Sequence, residues 1–225
     1  MKSILIELFV ALLLVSVAGA TRLCPNACLS TTTLRTARFP PVYLACPAGD
    51  TGSLSDQGFA IDIRIGWPAG GQPGIPAEDI WLIPCGGGLL TFCSVASAVA
   101  DAVTDVDGRT VISNSGIIGG GCANGIAVNY LFDDGTRFPP LLCSVCDLEV
   151  CAGGQGSCPH CMDLIVRSPD IDGNLLVNLV DFSAFASSFV FAYEECCDFD
   201  ANGVINLQDL STFALHFGPP GHGCQ

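Results

Sequence analysis

The sequence predicts a mainly β N-terminal domain, an antiparallel β-sandwich, followed by a small α-helical domain of two cation-loop–helix motifs. Three observations lead to this prediction. Apolar and polar residues alternate over short segments of the first half. Asp-Gly pairs, which favour tight turns, lie between such segments. An acidic loop followed by an amphipathic segment begins at Asp170 and again at Asp198.

Residues 1–20 have the features of a secretory signal peptide. Lys2 precedes the apolar stretch Leu8–Val17, and small residues at Ala18 and Ala20 fit a peptidase cleavage site. The apolar stretch is about half the length that spans a bilayer. We therefore expect a secreted bacterial protein, extracellular or at the cell surface, with no membrane insertion after cleavage.

Acidic residues outnumber basic ones, 22 against 8, for a formal net charge of −14. Phosphate recognition needs a basic surface, so this balance argues against nucleic acid as a partner. Half of the residues are hydrophobic and 13% are charged, which favours a folded core over a disordered acidic chain.

Residues 21–165 are predicted to form the cysteine-rich β-domain. Phe59–Ile65 alternates with the period of a half-buried strand, and Ile80–Ile83 is the next predicted strand. The acidic turn at Asp105 and Asp107 could bind a cation together with Asp133 and Asp134, or it could satisfy its own backbone. The run IDIRIGWPAGGQPGIPAEDIWLI, with AVTDVDGRTVIS after it, resembles a bacterial immunoglobulin-like module over residues 55–132. This resemblance implies an immunoglobulin-like sandwich.

Fourteen cysteines are present, an even number. Two C-x₂-C pairs have the spacing of a zinc site, with Cys151 between them, and they are Cys143/Cys146 and Cys158/Cys161. In an exported protein the alternative is disulfides, which we expect for all of the cysteines, with no zinc in this array. Spacing does not determine the connectivity.

The C-terminal repeat carries the candidate metal ligands. In each copy, oxygen-bearing side chains occupy the first, third, fifth, ninth and twelfth positions, and the seventh position offers a main-chain carbonyl. The first copy has Asp170, Asp172, Asn174, Leu176, Asn178 and Asp181, and the second has Asp198, Asp200, Asn202, Val204, Asn206 and Asp209. Six to eight protein oxygens suit Ca²⁺, whereas Mg²⁺ retains its waters. We expect two Ca²⁺ sites.

A helix is predicted after each loop, with apolar residues spaced along one face. The two faces are Phe182, Phe185, Ala186 and Phe189, and Leu210, Phe213, Ala214 and Phe217. The helices are expected to pack against each other within a domain of residues 166–218, and residues 219–225 form a C-terminal tail.

Residues 168–218 resemble the duplicated calcium repeats of type I dockerins, which bind cohesin domains in bacterial multi-enzyme assemblies. DFDANGVINLQD is a close match to the family loop. The first copy has Leu175 where the family has glycine, as at Gly203, so we expect a weaker first site. The positions that contact cohesin in the family hold Leu179/Val180 and Leu207/Gln208, so cohesin specificity does not transfer.

Catalytic motifs are missing from the sequence. His160, His216 and His222 belong to no H-E-x-x-H motif, and there is no G-x-S-x-G. We therefore expect a secreted, calcium-binding, non-catalytic interaction protein that docks onto an extracellular partner, cohesin-like or other. One alternative is a filament or coat subunit that assembles with copies of itself. A further alternative is a small carbohydrate-active or carbohydrate-binding module that carries a dockerin.

Overall fold

The computed structural model describes residues 30–67, 70–85, 89–94, 98–132, 141–145 and 161–218. Across these ranges the chain is mainly β, and two α-helices follow near its C-terminal end. This confirms the expected order of a β-rich part and then a small helical part. The expected signal peptide, the tail at 219–225, the pair Asp133/Asp134 and most of the array from Cys143 to Cys161 lie outside the described residues.

Short strands dominate the described residues up to Arg167. They are β1 (Thr31–Thr36), β2 (Val42–Leu44), β3 (Phe59–Arg64), β4 (Gly66–Trp67), β5 (Gly70–Gly71), β6 (Ile80–Pro84), β7 (Thr91–Phe92), β8 (Arg109–Ile112), β9 (Gly119–Gly120), β10 (Ile126–Phe132), β11 (Leu141–Ser144) and β12 (Ile165–Arg167). The helices are α1 (Leu179–Val190) and α2 (Leu207–His216). Neither helix has the length and apolar character needed to cross a membrane, and no other helix in the described ranges has them.

Two three-stranded antiparallel sheets form most of the β-rich part, in the orders β1-β3-β8 and β11-β10-β6. Strand β3 confirms the alternation in the sequence: Phe59, Ile61 and Ile63 are buried, whereas the residues between them are half-buried. Strand β6 confirms the second predicted strand. Both sheets contribute to one core, which includes Ile61 and Ile112 from the first sheet and Leu82 and Tyr130 from the second.

The acidic turn at Asp105 satisfies its own backbone. Oδ1 of Asp105 accepts hydrogen bonds from the N–H groups of Asp107 (2.9 Å) and Arg109 (2.8 Å). The residues before the turn form no strand, so β8 pairs with β3 and not with a hairpin partner. Of the two interpretations of this turn, the structure supports ordinary turn chemistry.

Strand β12 joins the helical repeats to the β-rich part. It pairs in parallel with β2, with Val166 opposite Tyr43. The Arg167 side chain is buried, and its guanidinium donates to the carbonyl of Ala123 (3.3 Å) and to Oδ1 of Asn124 (2.9 Å). Three residues later the first acidic loop begins, so its first residue starts from a fixed position on the β-rich part.

The helices share a second core with the β-rich part. Phe185 of α1 and Phe213 of α2 are each 1% exposed, and their rings stack with centroids 5.5 Å apart. This is the expected contact between the two helix faces. Cys46 and Cys122 from the β-rich part pack in the same cluster. The outer residues of the predicted faces, Phe182 and Phe189, remain 42% exposed.

In two disulfides both cysteines belong to the described part of the chain. These are Cys85–Cys161 and Cys122–Cys196. The second crosses from the β-rich part to the segment between the two repeats. Its partners are 74 residues apart, and the chain-entropy model gives a loop of that size a stabilisation of about 4 kcal/mol. Cys46 and Cys197 are free thiols. The expectation that every cysteine is oxidised was therefore wrong for these two, which are buried in the second core beside the bonded pair Cys122 and Cys196.

Candidate metal centre

Each acidic loop folds around the carboxylate of its first residue. Asp170 accepts hydrogen bonds from the backbone N–H groups of Asn174 (3.2 Å) and Leu175 (2.7 Å). Asp198 accepts the equivalent bonds from Asn202 (3.1 Å) and Gly203 (2.8 Å). Both first residues are completely buried. A tight loop of this kind turns its alternate side chains inward, as the sequence spacing predicts.

The twelfth residue of each loop fastens the start of the loop to the start of the helix. Asp181 accepts from the N–H groups of Ile171 through Oδ1 and of Asn178 through Oδ2, both at 2.8 Å. Asp209 repeats this arrangement with Phe199 (2.8 Å) and Asn206 (2.9 Å). The bond to the ninth residue is half of a capping box at each helix N-terminus. The same carboxylate therefore shapes the loop and begins the helix.

The structure brings three carboxylates together in each loop. One oxygen each from Asp170, Asp172 and Asp181 lie within 4.8 Å of one another. The equivalent oxygens of the second loop, from Asp198, Asp200 and Asp209, meet the same limit. The first and last carboxylates are buried and the middle one is more exposed. Each cluster thus has a protein side and an open side from which an ion can enter.

The crowding has an electrostatic cost. The pKa of Asp170 is raised to about 7, mainly by burial; the nearby carboxylates of Asp181 and Asp172 contribute to this rise, and the hydrogen bond from the Leu175 N–H opposes it. Burial also raises the pKa of Asp181 and of Asp200. A divalent cation at either cluster would remove this repulsion between neighbouring carboxylates. The donor set consists of oxygen atoms, which fits a hard cation such as Ca²⁺.

The fifth residue of each loop is an asparagine whose side-chain amide makes hydrogen bonds within the loop. Asn174 donates from Nδ2 to Asp172 (2.9 Å), and its Oδ1 accepts the Leu176 N–H (3.0 Å). Asn202 makes the same two contacts with Asp200 and Val204. Each amide oxygen retains a second lone pair for a cation. The predicted fifth ligands therefore lie beside the carboxylate clusters.

The ninth residue of each loop caps the helix. Oδ1 of Asn178 accepts the N–H of Val180 (2.8 Å), and its Nδ2 donates to the carbonyl of Leu176 (3.0 Å). Asn206 is placed identically, with Gln208 (2.7 Å) and the carbonyl of Val204 (3.2 Å). Ninth-position residues in such loops often reach the ion through water. Each seventh-position carbonyl, of Leu176 or Val204, accepts a hydrogen bond from the ninth-position asparagine of its loop.

Both loops contain one non-glycine residue with a left-handed backbone. Leu175 has φ 70° in the first loop, as the sequence suggested. In the second loop Ala201 has φ 50°, at the position where the first loop has Gly173, with φ 69°. Gly203 has φ 88°. Each loop therefore pairs one glycine with one strained residue, so backbone strain no longer gives a reason for a weaker first site.

The two loops differ in what surrounds them. The first loop packs on the β-rich part: a Cβ atom at Gly173 would lie 2.7 Å from the carbonyl oxygen of Leu89, and one at Gly120 would overlap the Asp170 carboxylate. In the second loop the hydroxyl of Tyr193 donates to Oδ2 of Asp198 (2.8 Å). Sequence analysis missed both partners. Gly120, which leaves room for Asp170, belongs to strand β9.

An apolar surface lies beside the two clusters. At equivalent positions Leu179 and Leu207 are each 69% exposed, and Leu176 and Val204 are 54% and 58% exposed. These four residues, together with Val180, are called the apolar rim below. Large exposed apolar patches mark interaction sites in soluble proteins. Leu179, Val180 and Leu207 lie at the helix N-termini, at the positions that contact the partner in dockerins, whereas Leu176 and Val204 precede the helices in the loops.

Comparisons with protein-family models, with curated proteins and with solved structures find no match for this chain. Its function is therefore inferred from the geometry of the two loops and of the apolar rim.

Proposed function

We propose that the two acidic loops bind one Ca²⁺ ion each. The observation that carries this proposal is that each loop places three carboxylate oxygens within 4.8 Å of one another. Each loop offers two further oxygen donors, the amide oxygen of its fifth residue and the main-chain carbonyl of its seventh. A ligand set of this size, made almost entirely by the protein, is typical of Ca²⁺.

The bound ion would neutralise the carboxylates and would also stabilise the folded loops and helices. Without it, three neighbouring carboxylates repel one another in a loop that also starts a helix. With it, the loop closes and the capping box fixes the first turn, so that Phe185 and Phe213 can stack. Calcium binding and ordering of the helix pair are therefore coupled in this proposal.

We propose further that the calcium-loaded helix pair docks onto another extracellular protein. The support is the apolar rim, which carries Leu179 and Leu207 at 69% exposure where the loops meet the helices. The resemblance to dockerins agrees with a docking role, and the apolar side chains favour an apolar partner surface over the cohesins of that family. The protein is then a secreted, non-catalytic interaction protein.

The β-rich part provides the platform in this proposal. Two antiparallel three-stranded sheets around one core support an immunoglobulin-like sandwich, the finer arrangement suggested by the sequence. The disulfide Cys122–Cys196 and the pairing of β12 with β2 hold the repeats against this platform.

Self-assembly is the second candidate function, and the equivalence of the two repeats favours it. Leu179 with Leu207, and Leu176 with Val204, present nearly equal exposed surfaces. Two equivalent sets of exposed apolar residues, one per repeat, suit a two-fold contact with another copy. In this case the apolar rim of one molecule would cover that of its neighbour.

Titration calorimetry of the mature, oxidised protein with Ca²⁺ tests the metal proposal. We expect two sites, with Asp170→Asn removing one and Asp198→Asn removing the other. Asp105→Asn is the matched control, because this carboxylate serves only its own turn. Calcium binding that survives both loop variants, or that needs Asp105, would show that the ligands are assigned wrongly.

Docking is tested with the variants Leu179→Asp and Leu207→Asp, which change exposed side chains and leave the carboxylates intact. Sedimentation velocity with and without Ca²⁺ shows whether the protein self-associates, and cell fractionation of the source bacterium shows whether it is retained at the surface. We expect the variants to bind Ca²⁺ normally but to lose self-association or retention. Variants that keep both would exclude the apolar rim as a docking surface.

A further inference from the structure

Three different metal-binding side chains converge where the C-terminal helix meets the β-rich part. Cys46 and Asp50 lie in the turn after β2, which is closed by a hydrogen bond from the Gly49 N–H to the Cys46 carbonyl (3.0 Å). His216 is the last residue of α2. The ligand atoms of Cys46, Asp50 and His216 all lie within 4.8 Å of one another, and Nδ1 of His216 is 3.2 Å from Oδ2 of Asp50.

The state of Cys46 sets this cluster apart. It is completely buried and is a free thiol. Six other cysteines in the described part of the chain are disulfide-bonded, namely Cys85, Cys93, Cys122, Cys143, Cys161 and Cys196. The second free thiol, Cys197, is 3.5 Å from the hydroxyl of Ser188, and among the described residues it belongs to no group of three metal-binding side chains. Cys46 is therefore a reduced thiol that faces a carboxylate and an imidazole.

We propose that Cys46, Asp50 and His216 form a zinc site that ties the end of α2 to the turn after β2. Thiolate, imidazole and carboxylate are the three ligand types of protein zinc sites. In a tetrahedral site with zinc–ligand bonds of about 2.0 to 2.1 Å, neighbouring nitrogen and oxygen ligands lie about 3.3 Å apart. His216 and Asp50 share a hydrogen bond of 3.2 Å in the structure, so an ion could bind both atoms with little change in their separation.

Three protein ligands leave a fourth position for water. Asp50 is exposed and His216 is partly exposed, so an ion and a water molecule can reach the cluster from solvent. As the zinc–sulfur bond forms, the proton of the Cys46 thiol leaves to solvent. The sulfur ligand favours zinc over Ca²⁺, which takes only oxygen ligands, so this site and the two acidic loops select different ions.

A nucleophilic role for Cys46 is disfavoured. Burial raises the pKa of its thiol to about 12, so at neutral pH it is protonated and unreactive. His216 and Ser188 occupy the equivalent, nineteenth place of their repeats, so the second repeat alone has a histidine there. The proposed ion holds the end of α2 in place through His216. The equivalent residue of the first repeat, Ser188, is not one of its ligands.

The test is a titration of the mature, oxidised protein with Zn²⁺, and with Co²⁺ as a spectroscopic probe, in saturating Ca²⁺ so that the acidic loops are filled. We expect one equivalent of tightly bound Zn²⁺ and a thiolate-to-cobalt charge-transfer band. Cys46→Ser should abolish the band, and His216→Gln should weaken zinc binding by at least about tenfold. Cys197→Ser removes the other free thiol and should leave both signals unchanged.

Mass spectrometry of the secreted protein and calcium binding by each variant complete the test. Variants that still bind two Ca²⁺ ions are folded, and His216→Gln provides an independent variant if Cys46→Ser misfolds. The proposal is overturned if Cys46 is found in a disulfide, if no stoichiometric Zn²⁺ binds, or if zinc binding is the same in both variants as in the unmodified protein. None of these outcomes bears on the calcium loops, so this proposal can fail separately from the proposed function.

Discussion

The carboxylate of Asp170 occupies the space that a Cβ atom on Gly120 would fill. The backbone reinforces this contact, because the N–H of Gly121 donates to the carbonyl of Asp170. A residue of strand β9 must therefore lack a side chain for the first acidic loop to form in place. The loop and the β-rich part are built as one unit at this point, although 50 residues separate the two partners.

Gly120→Ala should disrupt the first loop. The added methyl group would overlap a buried carboxylate, and overpacking of this kind costs about 1–3 kcal/mol. We expect lower stability in denaturant and loss of affinity at one Ca²⁺ site by calorimetry. Gly125→Ala is the control, since its Cβ would make ordinary contacts of 3.4 Å or more. Equal effects of the two variants would contradict the importance of the Asp170–Gly120 contact.

Leu175→Gly and Ala201→Gly should have similar effects. Each removes a left-handed non-glycine residue, which relieves about 1–2 kcal/mol of strain, partly offset by about 0.5–1 kcal/mol of glycine entropy. We expect each variant to raise calcium affinity modestly at its own loop. Separate titrations of the two variants measure this. An increase for Leu175→Gly alone would restore the inequality that the sequence suggested between the loops.

Calcium removal should loosen the helix pair before the sheets. Chelation leaves three close carboxylates in each loop, which opposes the capping boxes at Asn178 and Asn206. Hydrogen exchange with chelator and with Ca²⁺ should show lost protection in α1 and α2 and preserved protection in β3 and β10. Protection that does not change, or that falls equally in helices and sheets, would mean that the ion is not coupled to helix formation.

The stacked pair Phe185 and Phe213 should dominate the stability of the helical part. Each is 1% exposed, and replacing such a phenylalanine with alanine costs about 3–5 kcal/mol. We expect Phe185→Ala and Phe213→Ala to lower the thermal midpoint strongly and to weaken calcium binding through the coupled loops. Phe191→Ala, at a position that is 84% exposed, is the matched control and should change stability by no more than about 0.5 kcal/mol.

Much of the candidate calcium centre was predictable because it is local. The ligand positions of a loop lie within twelve residues, and the first and last carboxylates are bound by backbone groups of that same segment. The capping boxes and the helix faces likewise depend on spacings of three or four residues. The alternation in β3 is a local pattern as well, and it correctly identified the buried residues Phe59, Ile61 and Ile63.

The contacts that only the tertiary structure decided join distant parts of the chain. The parallel pairing of β12 with β2, the space that Gly120 leaves for Asp170, and the disulfide Cys122–Cys196 have no local signature. His216 and Asp50, 166 residues apart, meet only because the second core fixes α2 against the β-rich part. Local propensity and periodicity determine which residues form a loop, a strand or a helix. The packing of these elements against each other depends on burial and shape across the whole molecule, so it determines which distant side chains meet.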